Sequence, residues 1–205
     1  VHGKAVVEKK NPSSAVCSDC HGSHDLHSSN NRESKIYRQN IPATCSRCHE
    51  NVYKIYKSSI HGKAMQAGIK DAPVCTDCHG EHTIESHLEL TSTVYATAIS
   101  KTTCPRCHAA QRIISKYGLP SKRLETYMAS YHGLASQTGV ITVANCASCH
   151  GVHDILPSTD SNSTINKKNL HKTCGKCHPG VSSSSLAKGS IHGTTDKENR
   201  FIFYV

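Results

Sequence analysis

The chain has 205 residues, 36% of them hydrophobic, with no Trp, two Phe and a formal charge of +9. So few large apolar side chains exclude an ordinary hydrophobic core at this length, and no stretch is long enough to be a membrane-spanning helix. All twelve cysteines fall in one short spacing, which excludes a disulfide framework tying distant segments together.

From the N-terminus, Val1 in place of Met and the lack of a signal peptide suit a mature, processed chain. His2-Gly3 is followed 15 residues later by Cys17-x-x-Cys20-His21, which runs on as Gly22-x-His24. Residues 28–32, polar and rich in Ser and Asn, predict a surface loop before Cys45-x-x-Cys48-His49. Glu50–Ile60 places Val52, Ile55, Tyr56 and Ile60 on one face and predicts a short helix leading to His61-Gly62. The pattern then recurs as Cys75-x-x-Cys78-His79-Gly80-x-His82 and Cys104-x-x-Cys107-His108. Around Arg112–Met128 lies an extra segment with Gly118-Leu119-Pro120 at its centre, read as two short helices about a turn. After His132-Gly133 come Cys146-x-x-Cys149-His150-Gly151-x-His153, a second polar loop at 158–164, and Cys174-x-x-Cys177-His178. A fourth pair, His192-Gly193, begins a unit that is not completed.

The chain is therefore a threefold repeat of HG, CxxCHGxH, CxxCH. The expected divisions are 1–60, 61–131 and 132–191, three two-motif repeats, with 192–205 as a fourth HG element and tail, all one continuous unit. From His24, His82 and His153 to the next motif the interval is 21, 22 and 21 residues.

CxxCH is the signature of covalently attached c-type haem. The two thiols of each motif form thioethers to the porphyrin vinyl groups, and the histidine stands beside the ring as proximal iron ligand. Zinc also uses CxxC pairs, but it has no need of a histidine directly after each. The expectation is six covalent haem c groups, attached through Cys17, Cys20, Cys45, Cys48, Cys75, Cys78, Cys104, Cys107, Cys146, Cys149, Cys174 and Cys177, with His21, His49, His79, His108, His150 and His178 proximal.

At about 34 residues per haem the cofactors must themselves be the core, and a chain lacking them should be largely unfolded. Twelve propionates and six ferric charges bring the chain's +9 to about +3 oxidised and −3 reduced. Neutralising propionates thus accounts for the basic residues, and no nucleic-acid partner is expected.

Ten histidines remain for the second axial positions. Seven are in register, His2, His61, His132 and His192 before the motifs and His24, His82 and His153 after them. Three are not, His27, His87 and His171, and these read as surface or propionate-contacting groups. His24, only three residues from His21, cannot reach the far face of its own haem and should ligate a neighbour, as should His82 and His153. This argument pairs two porphyrins within each repeat. Six irons then leave either His2 or His192 over. An iron with two histidine ligands offers substrate no open position, which argues for electron transfer and against catalysis. Within the motifs, Asp19, Asp77 or Ser148 precedes the second cysteine of the first motif of each repeat, and Arg47, Arg106 or Lys176 that of the second. These residues are either surface and propionate contacts or a device alternating the haem potentials.

With these elements in view the chain resembles the bis-histidine multihaem c-type cytochromes of respiring bacteria and archaea. That group includes periplasmic shuttles, outer-membrane conduits and nanowire-forming cytochromes. The resemblance implies a multihaem cytochrome fold, mostly coil with short α-helices and little β, wrapped around a haem chain. It implies electron conduction outside the cytoplasm, in the periplasm or at the cell surface, between a redox donor and a protein or external acceptor. The apolar tail Phe201-Ile202-Phe203-Tyr204-Val205 needs a partner. It would dock on a neighbouring subunit of a filament, lead into a membrane anchor or fold back over the terminal haem. A multihaem reductase with an open haem site is the competing class, set against by the surplus of distal histidines.

Overall fold

The computed structural model describes residues 1–182, Leu186 and His192. Among them the regular structure is helical, in short pieces, with no strand and much coil. In chain order the helices are α1 (His2–Val7), α2 (Cys17–His21), α3 (Ile41–Ser46), α4 (Glu50–Ser58), α5 (Ile60–Gln66), α6 (Cys75–His79), α7 (Ala96–Ala98), α8 (Pro105–His108), α9 (Gln111–Tyr117), α10 (Arg123–Met128), α11 (Tyr131–Gln137), α12 (Cys146–His150) and α13 (Leu170–Gly175). A 3-10 turn, Arg38–Asn40, leads into α3, and a π-helical turn, Ile99–Thr103, follows α7. The tail Phe201–Val205 lies outside the described residues.

The first motif of each repeat is a helix of its own (α2, α6, α12). The residue directly before its second cysteine caps it: Asp19 Oδ2 accepts from Val16 N at 2.8 Å, Asp77 Oδ2 from Val74 N at 2.7 Å, and Ser148 Oγ from Asn145 N at 3.1 Å. This reach-back to an otherwise unpaired N–H starts the helix. Each helix stops at the glycine that follows its histidine, with φ of +87°, +78° and +84° at Gly22, Gly80 and Gly151, a conformation side chains other than glycine's rarely adopt.

The segment before the third motif differs from expectation in an informative way. Glu50–Ile60 is not one helix: α4 ends at Ser58 and α5 restarts at Ile60. Ser59 breaks it because its hydroxyl donates to Tyr56 O at 2.6 Å and accepts from Gly62 N at 3.1 Å, capping the new helix. The predicted apolar face is also mostly in solvent, with Ile55 46% and Ile60 40% exposed and only Tyr56 buried. The two helices about Gly118, by contrast, are α9 and α10, as the turn residues predict, with Gly118 left-handed at φ +62°.

Burial is inverted relative to an ordinary domain. Ser34, Ser59, Ser100, Ser136 and Ser163 are inside, while Leu26, Leu88, Leu90 and Val152 are 60% or more exposed. The buried hydroxyls are paired: Ser34 Oγ donates to His27 O at 3.1 Å and Ser163 Oγ to Leu156 O at 3.0 Å, while Ser100 Oγ and Ser136 Oγ lie 3.0 Å from each other. The polar stretch 158–164 is thus a loop folded onto its own backbone with Ser163 at its centre, not a uniformly exposed one. Asn40 and Asn169 each donate to two carbonyls of the loops before them, at 2.8–2.9 Å.

The chain divides into two compact units, Val1–Val94 and Tyr95–Val205, the boundary falling inside the second sequence repeat. In the first unit α3 packs on α4 and α6, and α4 on α5. In the second, α10 packs on α11 and α12 on α13.

Candidate metal centres

A CxxCH segment in helical conformation places its two sulfurs at i and i+3 and its imidazole at i+4, all on one side. None of the twelve cysteines is buried or paired in a disulfide. Within the first unit Cys45 and Cys75 approach closely enough to share a hydrogen bond, which lowers the Cys45 thiol to about 7 and raises that of Cys75. Cys104 and Cys146 do the same in the second unit, lowering Cys146. Cys20 also feels Cys45, and Cys149 feels Cys174, burial being the larger cause of the raised thiol in both. Motifs one to three therefore adjoin one another in one unit, and motifs four to six in the other.

The histidines come in pairs. His2 stands against His49 with ring centroids 6.1 Å apart, His82 against His21 at 5.9 Å, His132 against His178 at 6.0 Å and His192 against His150 at 6.2 Å. A metal–imidazole nitrogen bond is about 2.0–2.1 Å and that nitrogen lies roughly 1.1 Å from the ring centre, so two rings flanking one metal have centroids about 6.2 Å apart. Ordinary aromatic pairs span about 4.5–7 Å. What sets these four apart is their composition, since each joins one proximal histidine to one in-register histidine within the same narrow distance. Interplanar angles of 37°, 2°, 53° and 43° vary freely, as rotation about a shared axis allows. Among the described residues no three His, Cys, Asp or Glu side chains converge on one point, as a structural zinc would require.

Burial lowers the pKa of His2, His108, His132, His150, His153 and His192, in the last to about 4 with help from Arg123 and His150. Neutral imidazole is the form that binds metal, so the environment holds these rings in the ligating state.

The assignment of the surplus histidine changes. The count left His2 or His192 over, yet both face a proximal ring. His61 and His153 are engaged with neighbouring groups. Among the described residues the exposed His24 is the in-register histidine that makes no hydrogen bond, ion pair or ring contact. His82 reaches back from the second repeat to the first-motif histidine of the first, so this pairing joins successive repeats instead of closing within one. Of the three histidines out of register, His27 Nδ1 lies 3.2 Å from Asn31 Nδ2, His87 is exposed, and His171 has a buried Nδ1 with no hydrogen-bond partner.

A set of supporting residues escaped the motif analysis. Tyr56, Ser59, His61, Gly62 and Gln66 recur as Tyr127, Ser130, His132, Gly133 and Gln137. The Tyr56 hydroxyl donates to Pro73 O at 2.8 Å and that of Tyr127 to Ala144 O at 3.0 Å, each two residues before the next motif. Gln66 Nε2 donates to Lys57 O and Gly62 O, and Gln137 Nε2 to Met128 O and Gly133 O. A Cβ on either glycine would lie 2.1 Å from the tyrosine carbonyl, which is why histidine is followed by Gly. Aligning the repeats on the HG pair brings these columns into view.

The charged residues inside the motifs have structural partners as well. Asp19 and Asp77 cap helices, Asp77 also taking a bidentate pair from Arg38 at 3.1 and 2.8 Å, and Arg47 donates to Asp19 O at 2.8 Å.

No helix of the described residues is long and apolar enough to cross a membrane. No protein-family model, curated protein or solved structure matches the chain.

Proposed function

We propose that the chain is a hexahaem c-type cytochrome that conducts electrons along a chain of adjoining haems outside the cytoplasm. The observation that carries this reading is the facing of proximal and in-register histidines near 6 Å, beside cysteines in CxxCH spacing. The inverted burial supports it, since exposed Leu, Ile and Val side chains around the motifs are what porphyrin faces would cover. Haem supplies one-electron chemistry between ferric and ferrous iron. The chain's part would be to attach each ring through the two sulfurs of a motif, offer the paired histidines as neutral imidazole ligands to its iron and keep successive motifs adjacent.

Doubly ligated irons change oxidation state without binding substrate, so the protein is read as an electron carrier and not an enzyme. Donor and acceptor are redox proteins or an external acceptor. The assembled form is either a homo-oligomeric filament or the haem part of a membrane-anchored or periplasmic complex. Exposed His24, unengaged where its counterparts are not, fits a chain that meets a further haem-bearing unit.

The test is the purified protein from a host that attaches haem c. A pyridine haemochrome assay and intact mass should give six haems per chain, and the reduced protein should leave carbon monoxide unbound. Fewer haems, or zinc in their place, would overturn the cofactor reading. Rapid carbon monoxide uptake by the native protein would move it toward a reductase. Electron microscopy of material released without detergent separates filaments from discrete particles.

A further inference from the structure

His192 breaks the register of the repeat. His2 and His132, two of the other HG histidines, face the second-motif histidine of their own repeat, His49 and His178. His192 instead faces His150, a first-motif histidine of the repeat before it. That is the place His82 takes against His21. Something other than the repeat pattern must hold His192 there.

The holding groups lie on α10. Arg123 Nη1 donates to the His192 carbonyl at 2.8 Å, and Thr126 Oγ1 lies 3.3 Å from His192 Nδ1. Thr126 is 3% exposed, and its hydroxyl is also 2.8 Å from Lys122 O and 3.2 Å from Arg123 O. A threonine hydroxyl has a single proton, and here it goes to a backbone carbonyl one turn back. Toward His192 the oxygen can then only accept. The ring proton is thereby fixed on Nδ1, which leaves the Nε2 lone pair for a metal.

The matching helix of the first repeat, α4, carries no such groups. Counting back from the HG pair, Arg123 and Thr126 occupy the columns of Val52 and Ile55, which are 37% and 46% exposed and apolar. The second repeat carries, where the first has two apolar side chains on one helix face, a donor to the His192 backbone and an acceptor for its ring.

We propose that Thr126 and Arg123 are positioning residues that fix His192 as the second axial ligand of the iron carried by His150. The assignment rests on the hexahaem reading above. Thr126 sets the tautomer and Arg123 anchors the backbone, and together they do for this iron what the CHGxH turn of the next repeat does for the iron of His21.

The test uses the holoprotein and four variants, His192→Ala, Thr126→Val, Thr126→Ser and Arg123→Gln, each first assayed for haem content. A wild-type count other than six overturns the parent reading and this assignment with it. With six haems retained, reduced His192→Ala should bind carbon monoxide at one haem in six. Loss of an outer partner of a metal-bound histidine weakens ligation about 10–100-fold, so Thr126→Val should take up carbon monoxide at that same haem at least about tenfold faster than wild type. Thr126→Ser, which keeps the oxygen, should restore the wild-type rate, and Arg123→Gln should fall between. A six-haem His192→Ala protein that binds no carbon monoxide overturns the assignment of His192. A Thr126→Val protein identical to wild type, in rate and in the low-spin electron paramagnetic resonance spectrum, overturns the role of Thr126.

Discussion

His21 and His150 occupy the same position in the first and third repeats, yet each meets its facing histidine by a different route. His21 faces His82, set in the tight CHGxH turn after α6, where the positive φ of Gly80 and the neighbouring proximal histidine fix its position. His150 faces His192, which belongs to no such turn and is held through Arg123 and Thr126 of a helix far away in sequence. One facing histidine is placed by local backbone geometry and the other by long-range side-chain bonds. The separation is the same to within a few tenths of an ångström, so the demand lies with the space between the rings and the means of meeting it is free to vary.

The widest break in this comparison comes from removing the ligands. His82→Ala and His192→Ala should each open one haem in six to carbon monoxide, read from the difference spectrum of the reduced protein. His24→Ala should open none, and a new carbon monoxide complex in that variant would restore His24 to the ligand set. Next are the glycines that let the HG helices approach. Gly62→Ala and Gly133→Ala force a Cβ against a carbonyl at 2.1 Å, and each should cost about 1–3 kcal/mol in thermal unfolding. Helix caps give a smaller contrast. Asp77→Ala should destabilise more than Asp19→Ala, by about 0.5–2 kcal/mol for the cap alone, because only Asp77 also holds Arg38 in a bidentate pair. Equal losses would show that the ion pair adds nothing. Smallest, Tyr56→Phe and Tyr127→Phe should each lose about 1 kcal/mol with the bond to Pro73 or Ala144, measured by denaturant titration.

Much of the candidate site was legible because its residues recur at fixed spacing, which puts both sulfurs and the histidine of each motif on one side of a helical turn whatever the tertiary contacts. The repeat picked out seven histidines, six of which are engaged. That the seventh, His24, meets no partner among the described residues could be seen only in the fold, since counting weighs all candidates alike and took the chain ends as the places of uncertainty. The Tyr-Ser-Gly-Gln bracket was hidden for a different reason. Its bonds run from side chain to backbone, which leaves no hydrophobic period to detect, and Tyr56 was read as one residue of an apolar face. The same bracket explains the error at Ser59, where apolar spacing predicted a continuous helix and a serine hydroxyl competed with it locally. Buried Ser163 was missed because polar composition is a guide to exposure only when apolar side chains are available to fill the interior.

The reach of His82 back to His21 makes neighbouring repeats into links rather than beads. In most repeat proteins the coupling between adjacent units is an interface of many weak contacts, and units can be added or lost at a cost spread over the array. On the hexahaem reading a ligand bond would carry that coupling, so deleting the second repeat would remove two haems and also leave an iron of the first without its second histidine. Repeats coupled in this way could be neither added nor lost without supplying a substitute histidine to the neighbour left behind.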